Sequence, residues 1–248
     1  MKDKGKRYAK NGAILFFWLL IWYGASRYIG YDILLVPPQK VATALAMLVQ
    51  ESYFWAAIMT SLFRIMLGFV LALVVGCVLA IIGAKIRFVH EMLYPLLSVI
   101  KATPVASFII LALIWIKSAN LSTFISFMMV MPMVYSSIYI GIQNVDKKLL
   151  EVAQVFQFTK GNTLKNIYIP SVKPYLISSC TVGLGFAWKS GVAAEVIGLP
   201  NDTIGNYLYY AKVYFNTAEL FAWTVVIVLL SVIVEKVLIG AIKMIERR

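Results

Sequence analysis

Three ionisable side chains lie within or beside long apolar stretches of the chain: Lys101, Lys189 and Glu195. Holding a charge at the centre of a bilayer-spanning helix costs about 2.5–3.5 kcal/mol on insertion scales, so such groups normally face a water-filled cavity or a partner. Placed along a passage, Lys101 and Lys189 would attract an anionic or polar solute. Alternatively each lysine extends its ammonium to an interface or is neutralised by Glu195. Lys189 and Glu195 are six positions apart, about 600° of winding and so roughly 120° apart on the helical wheel, which disfavours a direct pair on a regular helix. Trp188 adjoins Lys189 and is the one tryptophan whose position suggests solute contact. The others, Trp18, Trp22, Trp55, Trp115 and Trp223, sit mostly near segment ends, as interfacial belts do.

Other chemistry finds little support. No Gly-x-x-x-x-Gly-Lys-[Ser/Thr] phosphate loop occurs, so nucleotide hydrolysis has to belong to another polypeptide and no cofactor is expected on this chain. No His/Cys/Asp/Glu set has zinc spacing, and the single histidine, His90, lies at a segment end where solvent or headgroup contact is expected. Cys77 and Cys180 stand about a hundred residues apart in apolar runs and read as core packing.

The elements that would position these groups belong to a membrane. A chain of 248 residues that is 61% hydrophobic and 14% charged, with a mean hydropathy of +0.84, cannot hide so much apolar surface in one soluble core. Its formal charge of +12 gathers at the ends of apolar runs rather than on one basic face, which argues against nucleic acid. With about 20 apolar residues needed per crossing, about six spans are expected, over 12–28, 57–84, 92–116, 121–142, 175–197 and 220–242. Pro95, Lys101 and Pro104 interrupt the third, whose first turns are expected to form a half-helix. Gly68, Gly76 and Gly83 in the second suggest close helix packing.

The cations give the sidedness. Lys2, Lys4, Lys6, Arg7 and Lys10 precede the first span and Lys85 and Arg87 follow the second, so both regions are expected in the cytoplasm. Alternation then puts Lys147, Lys148, Lys160, Lys165, Lys173, Lys243, Arg247 and Arg248 on that side, with both termini cytoplasmic. The first span is read as an uncleaved anchor, because bulky Trp22, Tyr23, Arg27 and Tyr28 crowd the small residues of a possible signal-peptidase site. After Pro37 and Pro38, the modestly amphipathic segment 39–51 is too short to cross and suits the outer membrane face. With no linker and no repeat, residues 1–248 read as one membrane domain.

Between the fourth and fifth spans, Glu151 to Pro170 reads as two short helices around a turn. Leu149, Leu150, Ala153, Val155 and Phe156 give one apolar side, Lys160, Gly161 and Asn162 break the pattern, and a second helix over 163–168 is expected to stop at Pro170. Either Thr163 or Thr159 is placed to cap it. Such an element offers a side for a partner to grip.

This block resembles the cytoplasmic signature of permeases of binding-protein-dependent ABC importers: Glu-Ala-Ala, three residues, Gly, nine residues, then Ile-x-Leu-Pro. Glu151, Val152 and Ala153, then Gln157 at the glycine position, then Ile167, Ile169 and Pro170 keep that spacing, with Val152, Gln157 and Ile169 as departures. The segments ILLVPPQKVATAL, YPLLSVIKATPVASFI and GLGFAWKSGVAAEVI resemble the nitrate, sulfonate and taurine branch. The resemblance implies an all-α, polytopic type I permease fold with its core over 54–242 and a coupling loop over 144–172. It implies a second permease copy, a cytoplasmic ATPase dimer that binds ATP and magnesium, and an extracytoplasmic solute-binding protein in a bacterial plasma membrane. Carried over, Glu151, Val152, Ala153, Phe156, Gln157, Phe158, Thr159, Lys160 and Gly161 would couple to the ATPase, with Gly161 or a different bend replacing the missing signature glycine. Lys101, Trp188, Lys189 and Glu195 would belong to the translocation path, and Lys189 stands where related sequences often carry an aliphatic residue. The branch moves small anions or vitamin precursors. A secondary transporter or channel working without ATP remains the alternative reading.

Overall fold

The computed structural model describes the backbone of residues 2–246 and the side chains of residues 10, 12–242 and 244. The cationic side chains at Lys2, Lys4, Lys6, Arg7, Lys243, Arg247 and Arg248 lie outside the described residues. The described chain is helical, without strands. Its helices in order are α1 (Lys2–Ile29), α2 (Pro38–Leu48), α3 (Ser52–Lys85), α4 (Arg87–Ala102), α5 (Val105–Ala112), α6 (Ser118–Gln143), α7 (Lys147–Val155), α8 (Lys160–Thr163), α9 (Ile169–Gly198), α10 (Ile204–Val213) and α11 (Thr217–Glu246). A π turn, Leu164–Tyr168, joins α8 to α9.

Four helices are long and apolar enough to cross a bilayer: Gly12–Ile29, Ser52–Lys85, Ser118–Gln143 and Thr217–Ile242, or five spans if α4 and α5 count as one. The fifth expected span, 175–197, lies in α9, which at 30 residues is long enough. Lys189, Glu195 and several serines lower its apolarity below that of the other four. The third expected span is not one straight crossing. Pro95 sits inside α4 without ending it, and the chain breaks at Thr103–Pro104, where α5 departs at 106°.

The core is a three-helix packing of α3, α6 and α9, with α11 laid over α9 and α2 over α11. Small residues set how closely these helices approach. A Cβ on Gly68 would lie 2.3 Å from the Thr123 carbonyl oxygen, and one on Gly76 would lie 2.9 Å from the Val134 side chain. Hydroxyls stitch the same seams. Thr123 Oγ1 donates to the Arg64 carbonyl at 2.9 Å and Ser126 Oγ to the Ala187 carbonyl at 3.0 Å. α1 touches the rest where Trp22 stacks on Phe221 and otherwise leaves its apolar faces exposed, as a helix immersed in lipid does.

Two aromatic expectations change. His90 is half-buried, its Nδ1 2.8 Å from the Tyr135 hydroxyl and its ring stacked 4.0 Å from that of Tyr139, so it ties α4 to α6. Trp223 is fully buried between Phe54 and Tyr207, with its indole N–H donating to Glu219 at 3.3 Å, instead of joining an interfacial belt.

Gly68→Val should overpack the α3–α6 seam at a backbone oxygen that cannot withdraw, costing about 1–3 kcal/mol or blocking folding. Gly24→Ala, at a site with nothing within 4 Å, should be neutral. Thermal unfolding in detergent, followed by size exclusion, would show the contrast; equal stability would refute the close-packing account.

Candidate functional site

The α7–α8 corner is built by two side-chain caps and one strained residue. Asp146 Oδ1 accepts from the Lys148 N–H at 2.9 Å to start α7, and Thr159 Oγ1 accepts from the Asn162 N–H at 3.3 Å to start α8. Thr159, not Thr163, is therefore the cap. Pro170 does not stop the second helix: α8 runs through the π turn into α9, and Pro170 is the second residue of α9, directly after that turn. Between the caps, Gln157 adopts φ +50°, the left-handed conformation that a glycine would hold without a Cβ penalty. Gly161 has not taken over the turn; it lies in α8 with nothing near its Cα hydrogens.

The corner projects apolar groups. Phe156 is 71% exposed and Val155 78%, and Val152, Phe158 and Leu164 are also exposed, while Ala153 is buried with Val145 and Ile167. Glu151, Gln157, Thr159, Lys160 and Gly161 surround the aromatic pair at the surface. Two exposed phenylalanines on a short, capped turn form a knob suited to a cleft on another surface.

The groups expected along a path part company. Lys101 is exposed at the end of α4 and donates from Nζ to Ser136 Oγ on α6 at 2.6 Å. Lys189 is exposed on α9, on a stripe with Val182 and Phe186, and lines a cavity of about 300 Å³ with Glu235 and Ser231 of α11. Trp188 is only 3% exposed and donates from Nε1 to the Ile227 carbonyl at 3.1 Å, so its polar end anchors α9 to α11. Glu195 is fully buried inside the subunit. Its Oε2 accepts from Ser61 Oγ at 2.7 Å and from the Gly205 N–H at 3.3 Å, and Ser61 Oγ in turn accepts from the Ile204 N–H at 3.0 Å. Trp188 also lines the cavity beside Lys189, whereas Glu195 is enclosed between helices.

Sequence reading missed what surrounds Glu195. Glu195 Oε1, Arg64 Nη1 and Ser122 Oγ are all buried without a partner, and Arg64 also borders a cavity of about 450 Å³ where α6 begins and α9 ends, alongside the third and fourth turns of α3. A charged residue within the second apolar run, four positions after Thr60 and three after Ser61, was the available signal. On the rim of that cavity Tyr207 approaches Asp202, hydroxyl to Oδ1 at 3.5 Å. Burial and then the Asp202 carboxylate push the Tyr207 phenol above its ordinary range, so it stays protonated as the donor. Among the described residues no group of His, Cys, Asp and Glu is arranged to hold a metal.

Residues 72–248 match the sequence pattern of the binding-protein-dependent transport system inner membrane component. The chain belongs to that family. The nitrate import permease protein NrtB of Synechocystis sp. is 29% identical over 141 residues, 56% of this chain and 51% of the relative, so that match spans about half the relative's length. The putative aliphatic sulfonates transport permease SsuC of Bacillus subtilis is 24% identical over 213 residues, covering 85% of this chain and 75% of the relative. The taurine transport system permease TauC of Escherichia coli is 23% identical over 220 residues, covering 86% and 80%. A bacterial ABC transporter that imports alginate shares the fold at a TM-score of 0.62 and 16% identity, with 98% of each chain covered. The chain is thus a permease subunit of an ABC importer with the type I permease fold, and it is similar to permeases named for nitrate, aliphatic sulfonates and taurine.

Ser61→Ala would leave the Ile204 N–H and one oxygen of Glu195 short of a partner, at a cost of about 1–3 kcal/mol. A lowered midpoint in thermal unfolding is expected; an unchanged one would mean water replaces the hydroxyl. Gln157→Gly should rigidify nothing yet relieve the left-handed strain, stabilising the corner by up to about 1 kcal/mol, and Gln157→Val should do the reverse. Amide hydrogen exchange over residues 153–163 is the readout.

Proposed function

We propose that two copies of this chain form the membrane pathway of an importer whose ATPase dimer grips the α7–α8 corner from the cytoplasm. The exposed Phe156–Phe158 knob carries the reading: burying two aromatic rings in a partner's cleft supplies an anchor of the kind that dominates interface energetics. Glu151, Val152, Gln157, Thr159, Lys160 and Gly161 form the rest of the gripped surface, with buried Ala153 supporting it from within and Gln157 making its turn. ATP and magnesium belong to the ATPase. The cations at Lys85, Arg87, Lys147, Lys148 and Lys160 support a topology with the corner and both termini on the cytoplasmic side of a bacterial inner membrane. The start of α6 and the end of α9 at the Arg64 cavity then face outward, toward a solute-binding protein.

The solute is a small anion of the nitrate, sulfonate or taurine kind, or a vitamin precursor. Lys101 and Lys189 support this class, since both are exposed lysines, one at the end of α4 in the broken span and one on the 30-residue α9, and would draw an oxyanion inward. The named transport roles of NrtB, SsuC and TauC relatives point the same way.

Replacing both Phe156 and Phe158 by Asp should abolish recovery of a phosphate-loop ATPase with the tagged chain while leaving membrane insertion intact. Undiminished recovery would refute the docking assignment. Lys101→Met and Lys189→Met should each lower uptake by about tenfold in assembled complexes, an amount equal to about 1.4 kcal/mol; normal uptake by both would remove the lysines from the path.

A further inference from the structure

Lys189 does not pair with the carboxylate on its own helix. Glu195 is fully buried and turned toward Ser61 of α3 and the Gly205 N–H of α10. The cavity of about 300 Å³ between α9 and α11 supplies another carboxylate, Glu235. Lys189 and Glu235 are both exposed on the single subunit, and the rest of the cavity lining is uncharged. Lys236, the next charge on α11, is not part of that lining.

Helix geometry aims the two charges at one another. Trp188 donates to the Ile227 carbonyl, so positions 188 and 227 stand at one level. From there the cavity follows α9 back to Gly185 and Thr181 and α11 forward to Ser231 and Glu235, so the two helices run antiparallel along it. Ile227, Ser231 and Glu235 recur every four residues and share one face of α11. Glu235 lies eight residues, about 12 Å of rise, beyond the Ile227 level. Side chains lean toward the N-terminus of their own helix. In an antiparallel pair Lys189 therefore leans toward the level of Glu235, and Glu235 leans back toward Lys189. Gly185 leaves the space between them open, since a Cβ there would meet nothing within 4 Å.

Among the described residues the ion pairs within 4.0 Å are Lys40–Asp32 and Arg87–Glu91, so Lys189 and Glu235 stand farther apart than that in this arrangement. Opposite charges on helices in a bilayer attract strongly through a low dielectric, and each is costly alone. We propose that Glu235 is the counter-ion of Lys189 in this cavity and that a passing oxyanion displaces it from the ammonium. Glu235 is then a positioning residue that sets how firmly Lys189 holds the solute. The displacement rests on the reading of Lys189 as part of the path; the pairing of the two charges rests on the cavity.

The test uses the full-length chain with its ATPase in lipid nanodiscs, as wild type, Lys189→Met, Glu235→Gln and the double variant. Removing one partner strands the other charge, whereas removing both strands neither. Each single change should lower the thermal unfolding midpoint, and the double variant should recover about half or more of the summed loss. A double variant that folds where a single one does not is the same result in stronger form. Calorimetric titration with nitrate and with ethanesulfonate reads the displacement. Glu235→Gln should bind at least one of these anions about threefold tighter or more than wild type, Lys189→Met should weaken it by a similar factor, and Glu235→Asp should stay within about twofold. A packing role for Glu235 would not tighten anion binding. Losses that simply add when the two changes are combined overturn the counter-ion; if Lys189→Met still weakens binding in that case, the path reading of Lys189 stands without it. Coupled charges with anion binding unmoved by either single change overturn the displacement and remove Lys189 from the path. No binding of either anion by any variant also overturns the displacement.

Discussion

Burying one carboxylate at the junction of three helices is the constraint around which this subunit is arranged. Glu195 lies with no exposure where α3, α9 and the start of α10 meet, and its cost is offset only if several donors converge on it. Ser61 comes from α3 and the Gly205 N–H from α10, so the carboxylate fixes the relative height of these elements as well as their approach. Gly205 has to be glycine for this to work, since a Cβ there would stand 2.4 Å from that of Glu195. The α9–α10 connection, Leu199 to Thr203, is drawn tight by the same contact, which is why two of its residues take the left-handed conformation. The walls of the outer cavity follow from that tightness.

The opposite end of the bundle is organised differently. There the corner between α7 and α8 is held by caps and a three-residue apolar cluster, Val145, Ala153 and Ile167, rather than by a buried charge. A small cluster suffices to hold a short turn in shape. It leaves Phe156 and Phe158 outward, where their exposure costs free energy until another surface covers them.

Much of this was readable in the residues. The apolar runs located α1, α3, α6 and α11 to within a few residues, because length and hydrophobicity alone decide whether a helix can lie in a bilayer. The spacing of Glu151, Ala153, Gln157, Ile167 and Pro170 located the corner. What escaped was tertiary. Pro170 and Pro95 look like helix breakers in a linear string, yet Pro170 falls in a first turn and Pro95 is carried within α4. Trp188 and Glu195 stand out as polar groups in an apolar run, but nothing in the string says that the Ile227 carbonyl and Ser61 wait for them on other helices. Arg64 was passed over because its surroundings, from α6 and the α9–α10 connection, come together only on folding.

Consider finally the unbroken run from Lys160 to Gly198. No loop separates the corner from the body of α9; a π turn of five residues carries the backbone across. A hinge would dissipate a tug as slack, whereas a continuous helix behaves as a stiff rod about 45 Å long over α9 alone. The same run carries Pro170 and Pro174 beside the π turn, so that any bend in it is concentrated there. The π turn holds one residue more than an α turn of the same span, so its conversion to α geometry would spin the rod by about 100°, one residue's worth of winding. The connection is in that sense a drive shaft with a built-in click stop.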